Sequence, residues 1–262
     1  MAKYSISEIP ENELPSTELK KYYSECKKDI RAKEGKYPRF DFTDLDYIFD
    51  AACNNRYLFT AKNVGENPTP QKYIKRWILA YCKAKKNPPS KRAAAAKSSC
   101  NDPMIETMLE FSQNIDNIQT SQKIFTHNLC MSAENVLGNL LEEFIAHEIR
   151  PYGWIWCTGE TLRAIDFCNE SGTTLLQIKN KSNSENSSSS SIREGTIIKK
   201  WHRLGSSKKK GVIYPSYQWD KLNAIINKDL PKGTKQIALT EDDFRDFVTK
   251  TVKANHEIIT GE

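Results

Sequence analysis

No amino-terminal stretch of the 262-residue chain joins positive charge to an apolar run and a small-residue end, and no apolar segment is long enough to cross a bilayer. Neither a secretory leader nor a membrane span is therefore expected, no membrane partner is expected, and the expected location is the cytoplasm. The seven cysteines, Cys26, Cys53, Cys82, Cys100, Cys130, Cys157 and Cys168, include no CxxC pair. That argues against a disulfide framework or structural zinc and for reduced thiols, several of them packing residues. His127, His147, His202 and His256 stand far apart and beside no cysteine pair. A histidine metal cluster or a Ser/His/Asp site has no support, and all four are read as ordinary histidines. There are no internal repeats, and low complexity is confined to the serine run at 187–191.

What the chain does have is charge of one sign in two places. The total is mild, 39 Lys and Arg against 33 Asp and Glu. Nine basic residues and no acid lie between Lys72 and Lys97, and seven basic residues face the single Glu194 between Arg193 and Lys210. Such runs suit a polyanion binder, although either alone could be a solvated face. The 38% hydrophobic content is enough for a sizeable core.

Helix signals dominate the first half. The spacing predicts a helix from Ser16 toward Gly35, a second from Asp44 to about Tyr57 capped by Thr43, and a third from Thr69 and Pro70 with Lys72, Lys75, Arg76 and Lys83 on its outer face. Residues 86–100 read as a linker, an exposed loop or a short helical extension, setting a soft boundary between 1–100, helical and partly basic, and 101–262. Asp102 and Pro103 open a helix to about Phe111, and Ser132 is expected to cap another ending before Pro151. Strands are expected at 154–157, 161–167, 173–179, 212–214 and 236–239, with helices at 219–226 and after Thr240 and a loose tail beyond Lys253. The class is α/β, a mixed central sheet flanked by helices.

The chemistry concentrates in one hairpin. Residues 164–167 (Ala-Ile-Asp-Phe) and 175–181 (Leu-Leu-Gln-Ile-Lys-Asn-Lys) flank turn-forming 169–172 and read as antiparallel strands. Gln177 and Lys179, two apart, point to one side of a strand, so the Asp166 carboxylate, an amide oxygen and an ammonium can converge. Mg²⁺ takes oxygen ligands, and a neighbouring lysine orients water or stabilises charge building on a phosphate. The set suits phosphodiester hydrolysis; the plain alternative is a hairpin with exposed polar ends. Straight after the strand, 180–204 offers groups that suit a duplex. Lys181, Lys199, Lys200, Arg203 and Ser184 suit phosphate, Asn180, Asn183 and Asn186 suit adenine or supporting contacts, Glu185 suits cytosine, and Arg193 suits guanine.

An Asp followed by a strand ending in an acid or glutamine, any residue and Lys is similar to the core of PD-(D/E)XK nucleases, here Asp166, Gln177, Ile178 and Lys179 with Gln in the acid's place. The longer text at 138–143 (Gly-Asn-Leu-Leu-Glu-Glu), 153–157 (Gly-Trp-Ile-Trp-Cys), 164–167, 176–180, 183–190, 192–193 and 200–201 resembles the SinI-type family of Type II restriction endonucleases, well over 131–204 and faintly in the flanks. The resemblance implies a PD-(D/E)XK restriction-endonuclease-like core in 101–262 and a recognition loop at 180–204, while the basic run from Lys72 to Lys97 marks the region 1–100 as DNA-binding. It implies Mg²⁺ held by Asp166, Gln177 and the Ile178 carbonyl, with Lys179 acting on water or phosphate. Glu142 would support metal or water from the preceding helix, preferred to Glu143 because Gly138 suggests close packing on its face. It further implies double-stranded DNA as substrate at GG(A/T)CC or a related word, a homodimer, and a cognate DNA methyltransferase. The alternatives are an Mrr-like or junction-resolving nuclease, or a non-catalytic DNA-binding protein of the same fold.

Overall fold

Helix α1 (Ser16–Arg31) buries Leu19, Tyr23, Cys26 and Ile30, the stripe of an amphipathic helix. Helix α2 (Thr43–Asn54) buries Leu45, Ile48, Phe49 and Ala52. Its cap is not Thr43: the Asp41 carboxylate accepts from the Thr43 N–H at 3.0 Å and hydroxyl at 2.7 Å. Helix α3 (Pro70–Lys86) starts as expected, with the Thr69 hydroxyl accepting the Lys72 N–H and Pro70 in the first turn. It buries Tyr73, Trp77 and Tyr81 and leaves Lys72, Lys75, Arg76 and Lys83 exposed.

This computed structural model describes residues 3–32, 35–94, 102–181, 198–209, 211–228 and 230–260. It contains α4 (Pro103–Gln113), α5 (Asn117–Ile149), α6 (Trp219–Asn227) and α7 (Glu241–Ala254), and strands β1 (Trp154–Trp156), β2 (Phe167–Asn169), β3 (Leu175–Lys181), β4 (Ile198–Lys209) and β5 (Val212–Tyr217). The strands lie side by side in chain order. Pairing is antiparallel for β1 with β2, β2 with β3 and β4 with β5, and parallel for β3 with β4, so the sheet is mixed. Among the described residues no helix is long and apolar enough to cross a membrane.

Two compact units divide the chain at other places than residue 100. One comprises Met1–Asn87 with Ile145–Thr240, the other Pro88–Phe144 with Glu241–Glu262. In the first, α1, α2 and α3 share a core with Ile155, Cys168 and Leu175 of the sheet. The Tyr23 and Phe49 rings stack 3.9 Å apart, and Trp77 meets Tyr23, Phe49 and Phe59 edge-on.

Several sequence expectations need correction. Residues 161–166 are not a strand, because Gly159, Glu160 and Ala164 all take positive φ and turn the chain before β2. The amino-terminal segment holds that turn: Phe59 bridges Leu162, Thr60 donates to the Glu160 carbonyl at 2.6 Å, and the buried Lys62 ammonium donates to the Gly159 and Glu160 carbonyls. Residues 236–239 add no strand either. Asn223 and Asn227 of α6 each give and take one hydrogen bond with the backbone of Leu239 and Ile237, satisfying groups a neighbouring strand would have paired. Ser132 caps nothing, since it lies inside the 33-residue α5. In the second unit 89–91 form a 3₁₀ turn with Pro89 buried, and the tail is held by Asn255 donating to the Ser90 and Arg92 carbonyls and by the Thr260 N–H on Ala94.

Gly159 is the glycine whose replacement should cost most. At φ +75° a Cβ there would stand 2.7 Å from the Ala80 carbonyl oxygen and 2.9 Å from the Tyr81 Cα, both backbone. Gly159→Ala is expected to lose roughly 2–4 kcal/mol of stability, read from the shift of a urea unfolding midpoint.

Candidate active site

Asp166 is the residue on which the turn at 157–166 delivers the chain to the sheet. Its N–H donates to the Leu176 carbonyl at 3.0 Å, and its carbonyl accepts from the Cys157 N–H at 2.8 Å, so its backbone is fixed between β1 and β3. Its carboxylate Oδ2 accepts the Ile178 N–H at 2.6 Å. Burial pushes the carboxyl up to about 6, opposed by that N–H and by the positive charge of Lys179. The expected antiparallel hairpin is present, Phe167 opposite Leu176 and Cys168 opposite Leu175.

On β3 the alternation puts Gln177 and Lys179 on one face and Ile178 on the other. Gln177 is buried and Lys179 exposed. The parallel register sets Gln177 beside Lys200, Ile178 beside Trp201 and Lys179 beside His202. Asp166, Ile178 and Lys179 are thus brought together, and Lys200 and His202 join Gln177 and Lys179 on their face of the sheet. On the opposite face Arg203, buried, donates from Nε to Asn180 Oδ1 at 2.9 Å, and its guanidinium lies 5.5 Å from the Tyr217 ring centre. Lys199, Lys200 and Arg203 therefore stand on a strand rather than in a loop.

The donors fit a hard divalent cation in kind: one carboxylate, one amide oxygen and one main-chain carbonyl. They supply a single negative charge, and among the described residues no group of three or more His, Cys, Asp or Glu could hold a metal. Other oxygens, such as those of a bound phosphate, would have to complete the set.

The chain matches the SinI restriction endonuclease family over residues 71–254. It is 32% identical to the Type II restriction enzyme SinI of Salmonella infantis over 206 residues, 76% of this chain and 80% of that protein. It belongs to the SinI restriction endonuclease family. It is also 38% identical to the Type II restriction enzyme Eco47I of Escherichia coli over 151 residues, 56% of this chain and 60% of that protein. The family match takes in the whole of the Asp166 to Lys179 segment but leaves α1 and α2 outside, although both share the core of α3 and the sheet.

The remaining expected site residues fall in three groups. Asn183, Ser184, Glu185, Asn186 and Arg193 lie outside the described residues. Lys181 and Lys200 are exposed, and Lys199 is half-buried. Glu142 is half-buried in the second unit, while Glu143 is buried, its carboxylate accepting from the Ser90 N–H at 2.8 Å and hydroxyl at 2.5 Å. The packing argument from Gly138 does not hold, since a Cβ there would meet nothing within 4 Å.

His202 was missed. Its half-burial, with Lys179 and Lys200 beside it, holds the imidazole below its ordinary pKa and favours the neutral ring. The available signal was its spacing of two from Lys200 within a basic run, which only matters once 198–209 is known to be a strand. On α3, Lys72, Lys75 and Arg76 line a cleft of about 490 Å³ with Asn63 and Gly65.

Proposed function

We propose that this chain is a site-specific deoxyribonuclease of restriction type that hydrolyses phosphodiester bonds in double-stranded DNA, with Mg²⁺ as the divalent ion and a PD-(D/E)XK core. The observation that carries the reading is Asp166, whose half-buried carboxylate is aimed by the Ile178 N–H and faces the charge of Lys179. Asp166, Gln177 and the Ile178 carbonyl would hold the ion, which supplies Lewis-acid stabilisation of the phosphate and an activated water. Lys179, exposed beside them, orients water or offsets charge on the reacting phosphate. Glu142 is proposed to assist metal or water. The neutral Gln177 leaves less protein charge at the metal than a glutamate would, which places more weight on the substrate's phosphates.

DNA recognition is assigned to 180–204, with Glu185 and Arg193 reading cytosine and guanine, Asn183, Asn186 and Ser184 supporting them, and Lys181, Lys199 and Lys200 on phosphates. The Asn180 and Arg203 pair supports both strands at the ends of this segment through its mutual hydrogen bond. The target proposed on the strength of the family likeness is GG(A/T)CC or a related word. The partners are DNA, a second copy of the chain and a methyltransferase protecting the same word, and the basic face of α3 is a further DNA contact.

Digestion of supercoiled plasmid with and without Mg²⁺, followed by mapping of the ends, tests the reading. Cuts at one short word only with the metal support it. Cuts confined to modified DNA or junctions would move it to the Mrr-like class, and binding without cutting to the non-catalytic one. Two substitutions should separate phosphate from base contacts. Lys200→Ala is expected to weaken binding to every sequence and lower the salt slope by about one. Arg193→Ala is expected to lose about 1–3 kcal/mol of discrimination at one base position, measured by competition between single-base variants of the word.

A further inference from the structure

Strand β5 is the edge of the sheet, and past Leu204 the longer β4 pairs with it alone among the described residues. The two strands form a ribbon that turns at Gly211, where φ is +83° and a Cβ would meet nothing within 4 Å. Val212, Ile213 and Tyr214, the first residues after the turn, are 53, 70 and 48% exposed. Successive residues of a strand point to opposite faces, so the ribbon is apolar and uncovered on both. Two strands with both faces in water are marginal by themselves, and a partner that covers them adds what they lack.

Charge selects that partner. From 195 to 219 there is no acid, while Lys199, Lys200, Arg203, Lys208, Lys209 and Lys210 are basic. Lys208 is exposed and pairs with Ile213 across the ribbon. A second copy adding its own β5 would set like charge against like, and Pro215 has no N–H to offer at the edge. A polyanion is attracted instead. By alternation Ser206 and Lys208 continue the face of β4 that holds Lys200 and His202 beside Gln177 and Lys179. From His202 to Lys208 the strand runs roughly 20 Å, so the ribbon reaches past the reacting phosphate along the same polymer. A flat surface covers one face of a ribbon, whereas a groove entered tip first meets both.

We propose that the tip of the ribbon of β4 and β5 enters a groove of double-stranded DNA beside the cut, with Lys208 on phosphate and Ile213 and Tyr214 against sugars and base edges. The identity of the polymer rests on the restriction-nuclease reading. The element itself is additional, because 205–217 lie outside the segment to which recognition is assigned.

Fluorescence anisotropy of a labelled duplex carrying GGACC, titrated without divalent metal at several salt concentrations, compares the unmodified chain with two variants. Lys208→Ala is expected to bind several-fold more weakly at low salt, with a salt slope lower by about one. The Ile213→Thr, Tyr214→Thr double variant keeps the strand preference of both positions, and is expected to bind about tenfold more weakly with the slope unchanged. Hydrogen exchange at 205–217 in the unmodified chain decides independently of how the variants fold: it should slow when duplex is added. A double variant that binds like the unmodified chain, exchange that ignores the duplex, or a ribbon that binds phosphatidylserine vesicles in preference to duplex overturns the proposal. The same proteins go onto supercoiled plasmid with Mg²⁺. Cutting by an unmodified chain whose duplex binding ignores the ribbon substitutions sinks the ribbon and leaves the nuclease reading standing, whereas ribbon-dependent binding by a chain that never cuts does the reverse.

Discussion

Asp166→Ala and Lys179→Ala proteins are expected to fold and to leave supercoiled plasmid uncut under conditions where the unmodified chain linearises it. Asp166 stands just before β2 and Lys179 just past the buried run of β3, and neither belongs to the apolar core. Removing a group that stabilises charge in the transition state costs on the order of 10²–10³ in rate, and a metal ligand can cost more. Alanine at 166 also strips the Ile178 N–H of its acceptor, so Asp166→Asn is the sharper variant, keeping the shape and an oxygen for that N–H while losing the charge. Near-normal turnover by Asp166→Asn would remove Asp166 from the reaction.

The same variant carries a pH signature. With the folded carboxyl raised to about 6 from an ordinary value of 3.8, the folded chain holds the proton more tightly than the unfolded one. The stability this gives is fully present below the unfolded pKa and is lost as pH rises through the folded one. Without divalent metal, the thermal midpoint of the unmodified chain should therefore fall relative to that of Asp166→Asn between about pH 4 and 6. Equal midpoints across that range would mean that the carboxyl is not desolvated.

Trp77→Ala is expected to cost about 3–5 kcal/mol of stability in urea unfolding. Trp77 is fully buried among Tyr23, Phe49 and Phe59, and its indole N–H donates to the Thr161 carbonyl at 2.9 Å. Thr161 sits in the turn that leads to Asp166, so the substitution opens the helical core and loosens the approach to the site together. Trp77→Phe keeps most of the packing and removes the donor, leaving a buried carbonyl unsatisfied at about 1–3 kcal/mol. If Trp77→Phe matched the unmodified chain in both stability and cleavage, the hydrogen bond to Thr161 would have no part in placing the turn.

The sequence by itself determined the elements whose signals are local. The helices at 16–31, 70–86 and 219–227 were readable because their apolar stripes repeat at the helical period and because Thr69 and Pro70 announce a start. The hairpin was readable because two apolar runs flank Asn169 to Gly172, and the alternation on β3 put Gln177 and Lys179 on one face whatever lay beyond. The family likeness was carried by the same local text.

Only the tertiary structure decided which distant groups meet. Strand β4 hides in the sequence because its twelve residues mix Trp201 with lysines, serines and a glycine; it is held by pairing with β3 and β5 rather than by a two-residue apolar pattern. Without it, His202 and Lys200 could not be set beside Lys179 and Gln177. Residues 237–239 read as a strand in the sequence, but the partners of Ile237 and Leu239 are the amides of Asn223 and Asn227, which no strand propensity announces. The buried environment of Glu143 depends on Ser90, fifty-three residues away. Residues 58–62 and Trp77 grip the turn at 159–163 across about a hundred positions, and so the amino-terminal helices share a core with the sheet instead of standing apart before residue 100. Long-range burial and hydrogen bonding are set by what the rest of the chain brings near, and a local pattern carries no record of that.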